Sequence, residues 1–208
     1  MLAEALLARP GMENAVSNSV PAQYFIELYR READPWNFAG SPYEREKYRA
    51  TLDALPKAHY ASALEIACSI GVFTSMLAQR CDDVLAIDVS PDAVERARSR
   101  CRGLANVRFE TRAIPSEYPG GSFDLTTVCE VGFYLDIRDL HALTAKVAGQ
   151  TRPGGHVVLV HWTPPVRGHA STAEQVHDTF RASNAFRWLH GFSAPTYRLD
   201  VLERRGDA

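Results

Sequence analysis

The fold is indicated most clearly by residues 63–71, Ala-Leu-Glu-Ile-Ala-Cys-Ser-Ile-Gly. Its first five residues predict a short buried strand, and the apolar spacing of residues 73–81 predicts a helix soon after it. The small residues between them let a ligand approach the backbone, and they aim the free N–H groups of the helix at that ligand. The sequence therefore predicts a strand–turn–helix unit with a ligand site at its turn.

Strands and helices alternate along most of the chain. Strands are predicted over residues 63–67, 83–89, 107–110, 123–129, 157–162, 186–192 and 197–203. Helices are predicted over residues 21–31, 41–55, 73–81, 90–101, 136–150 and 172–182. Such alternation implies an α/β fold with a mainly parallel sheet and helices on both faces. The last two strands flank a turn and predict an antiparallel β-hairpin that completes a seven-stranded sheet.

The N-terminal part of the chain is expected to cover this core. Residues 1–20 show little periodicity and are predicted to be flexible, and residues 21–56 are predicted to form a helical lid segment. Residues 57–208 form the predicted core, so the chain is interpreted as a single domain. Ser41 is predicted to cap the second helix, with Glu44 completing a capping box.

The composition excludes several classes of function. The 208 residues carry a formal net charge of −2, which gives no broad basic surface for nucleic acid or an anionic membrane. No apolar run reaches the ~20 residues of a membrane helix, and the start has no basic signal-peptide region, so a cytoplasmic protein is expected. The four cysteines form no C-x-x-C pair and are interpreted as buried free thiols. The histidines have no partners at ligand spacing, so no metal is expected.

A second acidic residue extends the predicted ligand site. Asp88 ends the second strand, and ligands of parallel sheets bind beyond the carboxyl ends of the strands. A carboxylate there accepts hydrogen bonds from the hydroxyls of a ribose, which favours a nucleoside ligand. Glu65 is expected to organise the turn or to contact an amino-acid end of the ligand. An oxidoreductase with a dinucleotide is disfavoured, because the turn lacks the G-x-G-x-x-G pattern.

In order and spacing, these residues resemble a known family. Glu65–Gly71, Asp88, Phe123–Leu125, Glu130 and Pro153–Gly155 follow the pattern of the Rossmann-like (class I) methyltransferases that use S-adenosylmethionine (SAM). The resemblance implies a Rossmann-like sheet, SAM as the methyl donor and S-adenosylhomocysteine (SAH) as the product.

A closer resemblance extends into the N-terminal segment. Asp34–Trp36, Ser41–Glu46, Ala63–Glu65 and Glu130–Leu135 are similar to the nodulation N-methyltransferases of the NodS family. That family methylates the free amine of a partly deacetylated chitooligosaccharide, so the resemblance implies a small-molecule acceptor and N-methylation. Two alternatives stay open: O-methylation of a hydroxylated metabolite, and SAM binding without catalysis.

The chain departs from the class I pattern in two places. The family turn is E/D-x-G-x-G-x-G, and Ala67 and Ser69 replace two of its glycines, which leaves only Gly71. Either the backbone keeps a negative φ at the two positions or it accepts strain. Many members also place an acid against the adenine amino group after the third strand. The matching stretch here is Arg112-Ala113-Ile114, whose last two residues are expected to substitute through their backbones.

The cofactor site follows from the resemblance, residue by residue, and from the position of the lid. The residues expected to bind the cofactor are Glu65, Ala67, Ser69, Gly71, Asp88, Val89, Ala113, Ile114 and Glu130, with Trp36, Tyr43 and Arg45 from the lid. Aromatic faces stack on adenine or on sugar rings, and a closed lid excludes water. Trp36 lies in a break of the helical pattern, which favours binding, whereas Tyr43 either binds or packs its helix onto the sheet.

Three residues beyond the fourth and fifth strands are candidates for catalysis. Methyl transfer from a sulfonium requires alignment of nucleophile, methyl and sulfur, and an amine must first lose its proton. Glu130 is expected to bind the acceptor ammonium or to accept its proton. Tyr134 either orients the acceptor or packs as an aromatic. His161 is either a general base or a core histidine, and O-methylation is favoured if His161 rather than Glu130 faces the methyl.

Overall fold

A computed structural model describes residues 19–206 of the chain. Residues 1–18, most of the segment predicted to be flexible, lie outside the described residues. Ser19 and Val20 belonged to the same prediction, and both are hydrogen-bonded to the core. The Val20 N–H donates to the Tyr134 carbonyl at 2.7 Å, and Ser19 Oγ donates to Asp139 Oδ2 at 2.6 Å. These two residues are therefore held in place and not flexible.

One seven-stranded sheet forms the centre of the molecule. Its strands are β1 (Tyr60–Ile66), β2 (Cys81–Asp88), β3 (Val107–Thr111), β4 (Phe123–Cys129), β5 (Thr151–Trp162), β6 (Phe186–Ser193) and β7 (Tyr197–Arg204). They lie in the order β3-β2-β1-β4-β5-β7-β6. The first five strands pair in parallel, and β7 runs antiparallel to both β5 and β6. The predicted fold, a mainly parallel seven-stranded α/β sheet with a C-terminal antiparallel hairpin, is confirmed.

Six α-helices accompany the sheet between residues 19 and 206. They are α1 (Ala22–Arg31), α2 (Pro42–Asp53), α3 (Val72–Leu77), α4 (Pro91–Arg100), α5 (Ile137–Gln150) and α6 (Ala173–Ala182). Short polar side chains fix four of the starts, because each accepts a hydrogen bond from the backbone N–H three residues further on. These caps are Ser41, Ser90, Asp136 and Thr172. The helix predicted over 73–81 is shorter, since a 3-10 turn, Ala78–Arg80, follows α3.

The capping box predicted at the start of α2 is only half formed. The Glu44 N–H donates to Ser41 Oγ at 3.2 Å, as expected. The Ser41 N–H, however, donates to the Asn37 carbonyl at 3.0 Å, and the Glu44 carboxylate binds Lys47 of the same helix. The reciprocal bond of the motif is therefore missing. This arrangement leaves the Glu44 side chain available to the cavity described below.

Alternating side chains of the strands divide the core into two layers. Neighbouring residues of a strand point to opposite faces, so Leu85 and Ala86 of β2 belong to different layers. Helices α2, α3 and α4 contribute apolar side chains to one layer, and α5 and α6 contribute to the other. The expected helices on both faces are therefore present.

The start of β5 differs from the sequence expectation. β5 begins at Thr151, ahead of the predicted start at residue 157, and includes the Pro-Gly-Gly stretch of residues 153–155. The pairing with β4 is irregular there, because Phe123 pairs with Thr151 but Leu125 pairs with His156. The extra residues of β5 form a bulge, which a turn-like sequence tolerates inside a strand.

Three further features concern the part of the chain that the structure describes. None of its helices is long and apolar enough to cross a membrane. Its four cysteines are free thiols. No group of three His, Cys, Asp or Glu residues within 19–206 is placed to hold a metal ion.

Candidate active site

A cavity of about 800 Å³ opens beyond the carboxyl ends of β1, β2 and β4. Its volume falls within the roughly 300–1,000 Å³ typical of small-molecule sites. Most of the predicted site residues lie on its wall: Trp36, Glu65, Ala67, Ser69, Asp88, Val89, Ala113, Ile114, Glu130 and Tyr134. Four predicted site residues do not line the cavity: Tyr43, Arg45, Gly71 and His161.

The turn after β1 takes a left-handed backbone at three positions. The φ angle is 58° at Ala67, 51° at Ser69 and 77° at Gly71. The two non-glycine residues thus accept strain, at a cost of roughly 1–2 kcal/mol each. Ser69 is fixed by its N–H, which donates to Asp88 Oδ2 at 2.9 Å, and by the Tyr29 hydroxyl, which donates to Ser69 Oγ at 2.5 Å. The backbone therefore keeps at 67 and 69 a conformation that glycine favours.

Gly71 lies behind the cavity wall. A Cβ at this position would be 2.9 Å from the Cα of Ala97 in α4, closer than real side chains allow. The glycine therefore lets α3 begin while α4 packs close to it, with φ in the left-handed region. Gly71 thus has a packing role, and its contact with the cofactor stays a prediction.

Replacing Ala67 with glycine is expected to stabilise the protein by about 0.5–1 kcal/mol. Glycine removes the steric cost of the left-handed conformation, and this gain exceeds the entropy that glycine loses on folding. For a chain of this size the melting temperature Tm should rise by about 2–4 °C. Thermal unfolding measures the change, with Ala61→Gly on the exposed side of β1 as a control that should lower Tm. A lower Tm for Ala67→Gly would show that the turn is not strained.

Asp88 and Glu65, two acidic residues of the cavity wall, differ in the hydrogen-bond partners of their carboxylates. Asp88 Oδ1 accepts from the Ser90 N–H and Oδ2 from the Ser69 N–H, both at 2.9 Å, while burial raises the pKa of Asp88 to about 6. Glu65 is only 3% exposed, and its Oε2 has no hydrogen-bond partner. Burial raises the pKa of Glu65 to about 8. An orphaned carboxylate oxygen on the wall of a cavity fits a ligand that brings an ammonium group.

The turn after β3 engages the backbone of Ala113 in hydrogen bonds. The Ala113 N–H donates to Glu117 Oε2 at 2.9 Å, and the Ala113 carbonyl accepts from the Glu117 N–H at 2.7 Å. Both backbone groups of Ala113 thus have partners inside the turn, and backbone contact of Ala113 or Ile114 with adenine stays a prediction. Ile114 lines the cavity and packs on the core with its side chain. Arg112 lines the cavity and pairs with Glu110.

Aromatic side chains of residues 21–56, the predicted lid segment, line the cavity. Trp36, the one expected to bind the cofactor, is among them. The Trp36 ring lies 5.6 Å from that of Phe38 in a stacked arrangement and 5.7 Å from the ring of Tyr29. The Asp34 carboxylate holds this break in the chain by accepting from the N–H groups of Phe38 and Ala39 at 2.8 Å. These bonds give the Asp-Pro-Trp break a defined shape.

Three residues of helix α2 line the cavity but were not among the predicted site residues. Glu44, Lys47 and Tyr48 line the wall. Tyr43 instead shares a hydrogen bond with Thr196, and Arg45 is exposed, so neither of these two predicted site residues lines the wall. The helical repeat explains the difference, because residues three and four apart share a face. The same spacing was the signal that could have identified residues 44, 47 and 48.

A buried ion cluster joins α2 to the end of β4. Lys47 Nζ donates to Glu130 Oε1 at 2.6 Å and to Glu44 Oε1 at 3.0 Å, and Lys47 is only 3% exposed. Burial lowers the pKa of Lys47, but the two carboxylates outweigh it and the net shift is upward. Glu130, whose φ is 54°, accepts from the Trp162 N–H through Oε2 at 2.9 Å. Both carboxylate oxygens of Glu130 are thus engaged.

Tyr134 and His169 form an aromatic part of the wall. Tyr134 contacts the rings of Phe25, Phe133 and His169 edge on, and burial raises the pKa of its hydroxyl. His169 stacks on Phe133 with ring centres 4.1 Å apart, and burial lowers its pKa to about 4. His169 thus lies on the cavity wall as a neutral ring.

His161 lies in the core, which contradicts its prediction as a general base. It is fully buried, and its Nε2 accepts from the Gly132 N–H at 3.1 Å. The proton of the neutral ring is then on Nδ1, which faces His177 Nε2 at 3.1 Å, and His177 Nδ1 lies 2.7 Å from Asp200 Oδ2. Burial lowers the pKa of His161, so it stays neutral. The alternative interpretation, a satisfied core histidine, is the one that the structure shows.

The fold and the cavity together define a class of protein. An acid at the end of β1, a turn that exposes backbone to the cavity and a second acid at the end of β2 lie on a Rossmann-like sheet with a terminal hairpin. This arrangement is that of a SAM-dependent methyltransferase.

Comparisons with known proteins give the particular family. The model of the family described as Nodulation protein S (NodS) matches residues 24–186. The chain is 35% identical over 196 residues to Nodulation protein S of Rhizobium tropici, covering 88% of this chain and 75% of that protein. It superposes with a TM-score of 0.79 and 25% identity on the N-methyltransferase NodS from Bradyrhizobium japonicum WM9 in complex with SAH, covering 88% of this chain and 98% of that one. The chain belongs to the NodS family. It is a SAM-dependent methyltransferase that acts on a small-molecule acceptor.

Proposed function

We propose that the enzyme methylates the amine of an amino sugar, such as the free amine of a partly deacetylated chitooligosaccharide. The observation that carries this proposal is the ion cluster on the cavity wall, where the buried Glu44 carboxylate and the partly buried Glu130 carboxylate share the single ammonium of Lys47. Two acids and one base leave a surplus of negative charge, which attracts a cationic acceptor. The related B. japonicum protein is described as an N-methyltransferase, which supports the same chemistry.

The cofactor fits the remainder of the cavity. Glu65, with its unpartnered Oε2, would hold the amino-acid end of SAM, and Asp88 would hold the ribose. Val89 and Ile114 offer apolar contacts to the adenine, and Trp36 would cover it from the lid. SAM supplies a methyl group that its positive sulfur has already activated. The chain therefore needs to position the acceptor and remove one proton from its nitrogen.

The position of His161 does not support O-methylation. That alternative depended on His161 facing the methyl, and His161 lies in the core with its Nε2 engaged by a backbone N–H. Among the residues that line the cavity, carboxylates are the groups suited to an ammonium.

A row of aromatic rings supports an oligosaccharide as the acceptor. Trp162 on the cavity wall contacts Tyr43 at 6.2 Å between ring centres, Tyr43 contacts Tyr197 at 6.5 Å, and Tyr197 contacts Phe192 at 5.8 Å. Tyr43 is 37% exposed and Phe192 is 44% exposed. The row thus leads from the cavity to the surface, and exposed aromatic rings are surfaces on which sugar rings stack.

Phe192→Ala is expected to raise KM for a chitotetraose with one free amine about 3- to 10-fold, the loss of one stacking contact of about 1 kcal/mol. The KM for glucosamine, which is too short to reach Phe192, should stay unchanged. Steady-state kinetics with both acceptors measures the effect. A matched substitution of another exposed apolar residue, Ile137→Ala, is the control. Equal effects of Phe192→Ala on the two acceptors would argue against the row as a sugar-binding surface.

The proposed function is tested directly by acceptor choice. Purified enzyme is incubated with labelled SAM and chitotetraose that carries either one free amine or none, and the products are analysed by mass spectrometry. We expect methylation of the free amine and no methylation of the fully acetylated oligosaccharide. Transfer to the fully acetylated oligosaccharide at the same rate would show that a hydroxyl, and not an amine, is the acceptor.

A further inference from the structure

A chain of hydrogen bonds crosses the core from the C-terminal hairpin to the loop after β4, residues 130–135. The Gly132 N–H of this loop donates to His161 Nε2 at 3.1 Å, and His161 Nδ1 lies 3.1 Å from His177 Nε2. His177 Nδ1 in turn lies 2.7 Å from Asp200 Oδ2. The two histidines are fully buried, and Asp200 is 3% exposed. These three side chains do not line the cavity, so direct contact with a ligand does not explain them.

The charge of Asp200 fixes the direction of the bonds in this chain. Its Oδ2 also accepts from the Arg198 guanidinium at 2.9 Å, and its Oδ1 accepts from the Trp188 indole at 2.8 Å. Burial raises the pKa of Asp200, but the hydrogen bonds from His177 and Trp188 outweigh it and the net shift is downward. Asp200 is therefore a carboxylate, which can only accept. His177 then carries its proton on Nδ1, and its bare Nε2 accepts from His161.

His161 consequently presents a bare nitrogen to the loop. Burial lowers the pKa of both imidazoles, so each ring is neutral and holds one proton. His161 uses its proton on Nδ1 for His177, which leaves Nε2 as the partner of the Gly132 N–H. Gly132 has no room for a side chain, because a Cβ would be 2.6 Å from Val176 and 3.1 Å from His161 Nε2. The backbone of the loop is thus packed directly against the histidine.

The 130–135 loop forms one side of the cavity. All of its residues except Gly132 line the wall, and Gly132 begins a 3-10 turn over Gly132–Tyr134. Two residues before the glycine, Glu130 has a φ of 54°, which non-glycine residues seldom adopt. Such a backbone persists only where the surrounding structure holds it. The bond between Gly132 and His161 is one of the contacts that hold this loop.

We propose that Asp200, His177 and His161 position the 130–135 loop for the methyl acceptor, acting through the Gly132 N–H. This inference rests on the proposed function, because it takes the loop as part of the surface that binds the acceptor. The three side chains are positioning residues and do not touch the substrate. Asp200 determines which nitrogen of His161 is bare, and that nitrogen determines where the loop backbone lies.

The protons of the chain can be observed directly in the wild-type enzyme. Nuclear magnetic resonance of the protein with isotope-labelled histidine distinguishes a proton on Nδ1 from a proton on Nε2. We expect the Nδ1–H form for both His161 and His177, with the His161 signals assigned by their loss in His161→Gln. A proton on His161 Nε2 would exclude the bond from Gly132 and would overturn the proposal. This measurement does not depend on the folding of any other variant.

His161→Leu removes both hydrogen bonds of the ring, whereas His161→Gln keeps an acceptor for Gly132 and a donor for His177. We expect His161→Leu to raise KM for the chitotetraose with one free amine about 10-fold, because a displaced loop misplaces the groups that hold the acceptor. Its Kd for SAH should change less than about 2-fold, since Glu65 and Asp88 lie at the ends of other strands. His161→Gln should keep KM within about 3-fold of wild type. An unchanged KM in His161→Leu would contradict the proposal.

His156→Leu is the matched control for a loss of stability alone. His156 lies on the same strand as His161 and is 3% exposed, and its Nδ1 lies 2.9 Å from the Tyr60 hydroxyl. It has no listed bond to the 130–135 loop, because its partner Tyr60 begins β1. We expect His156→Leu to lower Tm but to leave KM for the same acceptor unchanged. Equal increases of KM in the two leucine variants would show a general effect of stability and would overturn the proposal.

Hydrogen exchange separates this inference from the proposed function, because it needs no acceptor. The backbone amides of residues 132–135 should exchange about 10-fold faster in His161→Leu than in wild type, and at the wild-type rate in His156→Leu. If this difference is found and wild type methylates no amine, the proposed function is wrong and the chain still positions the loop. If these amides exchange at the wild-type rate in His161→Leu, the inference is wrong and N-methylation is unaffected.

Discussion

Lys47→Met is expected to destabilise the protein by about 3–5 kcal/mol, because it leaves the buried Glu44 carboxylate and the partly buried Glu130 carboxylate facing each other without a cation. Lys47 is the only positive group that contacts either Glu44 or Glu130 among the hydrogen bonds and ion pairs within residues 19–206. A loss of this size should lower Tm by about 10 °C in a chain of this length. Lys146→Met, at an exposed position of α5, is the control and should change the free energy of unfolding by less than about 0.5 kcal/mol.

The pH dependence of the melting temperature of Lys47→Met identifies the cause of its lower stability. Burial raises the pKa of the Glu44 carboxyl and Lys47 offsets part of that increase, so without Lys47 the pKa rises further; the stability of the variant is then retained at low pH and lost as the pH increases. We therefore expect the gap in Tm between wild type and Lys47→Met to narrow as the pH is lowered from about 8 to about 5. A gap that does not change with pH would mean that lost packing, and not unpaired charge, is responsible.

Glu65→Gln is expected to weaken the binding of SAH by about 1.5–3 kcal/mol, the worth of one hydrogen bond to a charged group. The Glu65 carboxyl is buried with one oxygen unpartnered, and a neutral amide binds an ammonium less well than a carboxylate does. Burial raises the pKa of Glu65 to about 8, so the affinity of wild type for SAH should increase as the pH rises from about 6 to about 8 and the carboxylate forms. The variant should show no such increase.

Glu65→Gln should weaken the binding of SAH but should stabilise the ligand-free protein near pH 8. A carboxyl whose folded pKa is raised contributes stability below its unfolded pKa and loses it as the pH rises through the folded value. Ligand-free Glu65→Gln should therefore melt at a higher temperature than wild type near pH 8, because it no longer holds a buried charge. Glu95→Gln, at an exposed position of α4, is the control for both measurements. If Glu65→Gln binds SAH as tightly as wild type, the assignment of the amino-acid end to Glu65 is wrong.

Local chemistry predicted the elements of the fold well. β4 lies at the predicted residues 123–129, since its apolar run is bounded by a glycine pair and an acid. Ser41 caps α2 as predicted, because a cap depends only on a side chain and the next three residues. The start of β5 was missed, since a bulge is fixed by pairing with β4 and not by its own residues.

The candidate site was predictable where it depends on strand ends and not where it depends on long-range pairing. The positions of Glu65 and Asp88 follow from the parallel sheet, whose strand ends meet at one edge. The Lys47–Glu130 pair joins residues that are 83 positions apart, so no local pattern indicates it. The place of His161 was decided by His177 of α6, which packs against that side of β5 and provides its partner.

We expect the turn over residues 65–71 to bind the cofactor although alanine and serine stand at two glycine positions with a left-handed backbone. A calorimetric titration of the purified protein with SAH and with SAM measures this binding. Both ligands should bind with micromolar affinity and with one site per chain. A folded protein that unfolds cooperatively and yet binds neither ligand would contradict it.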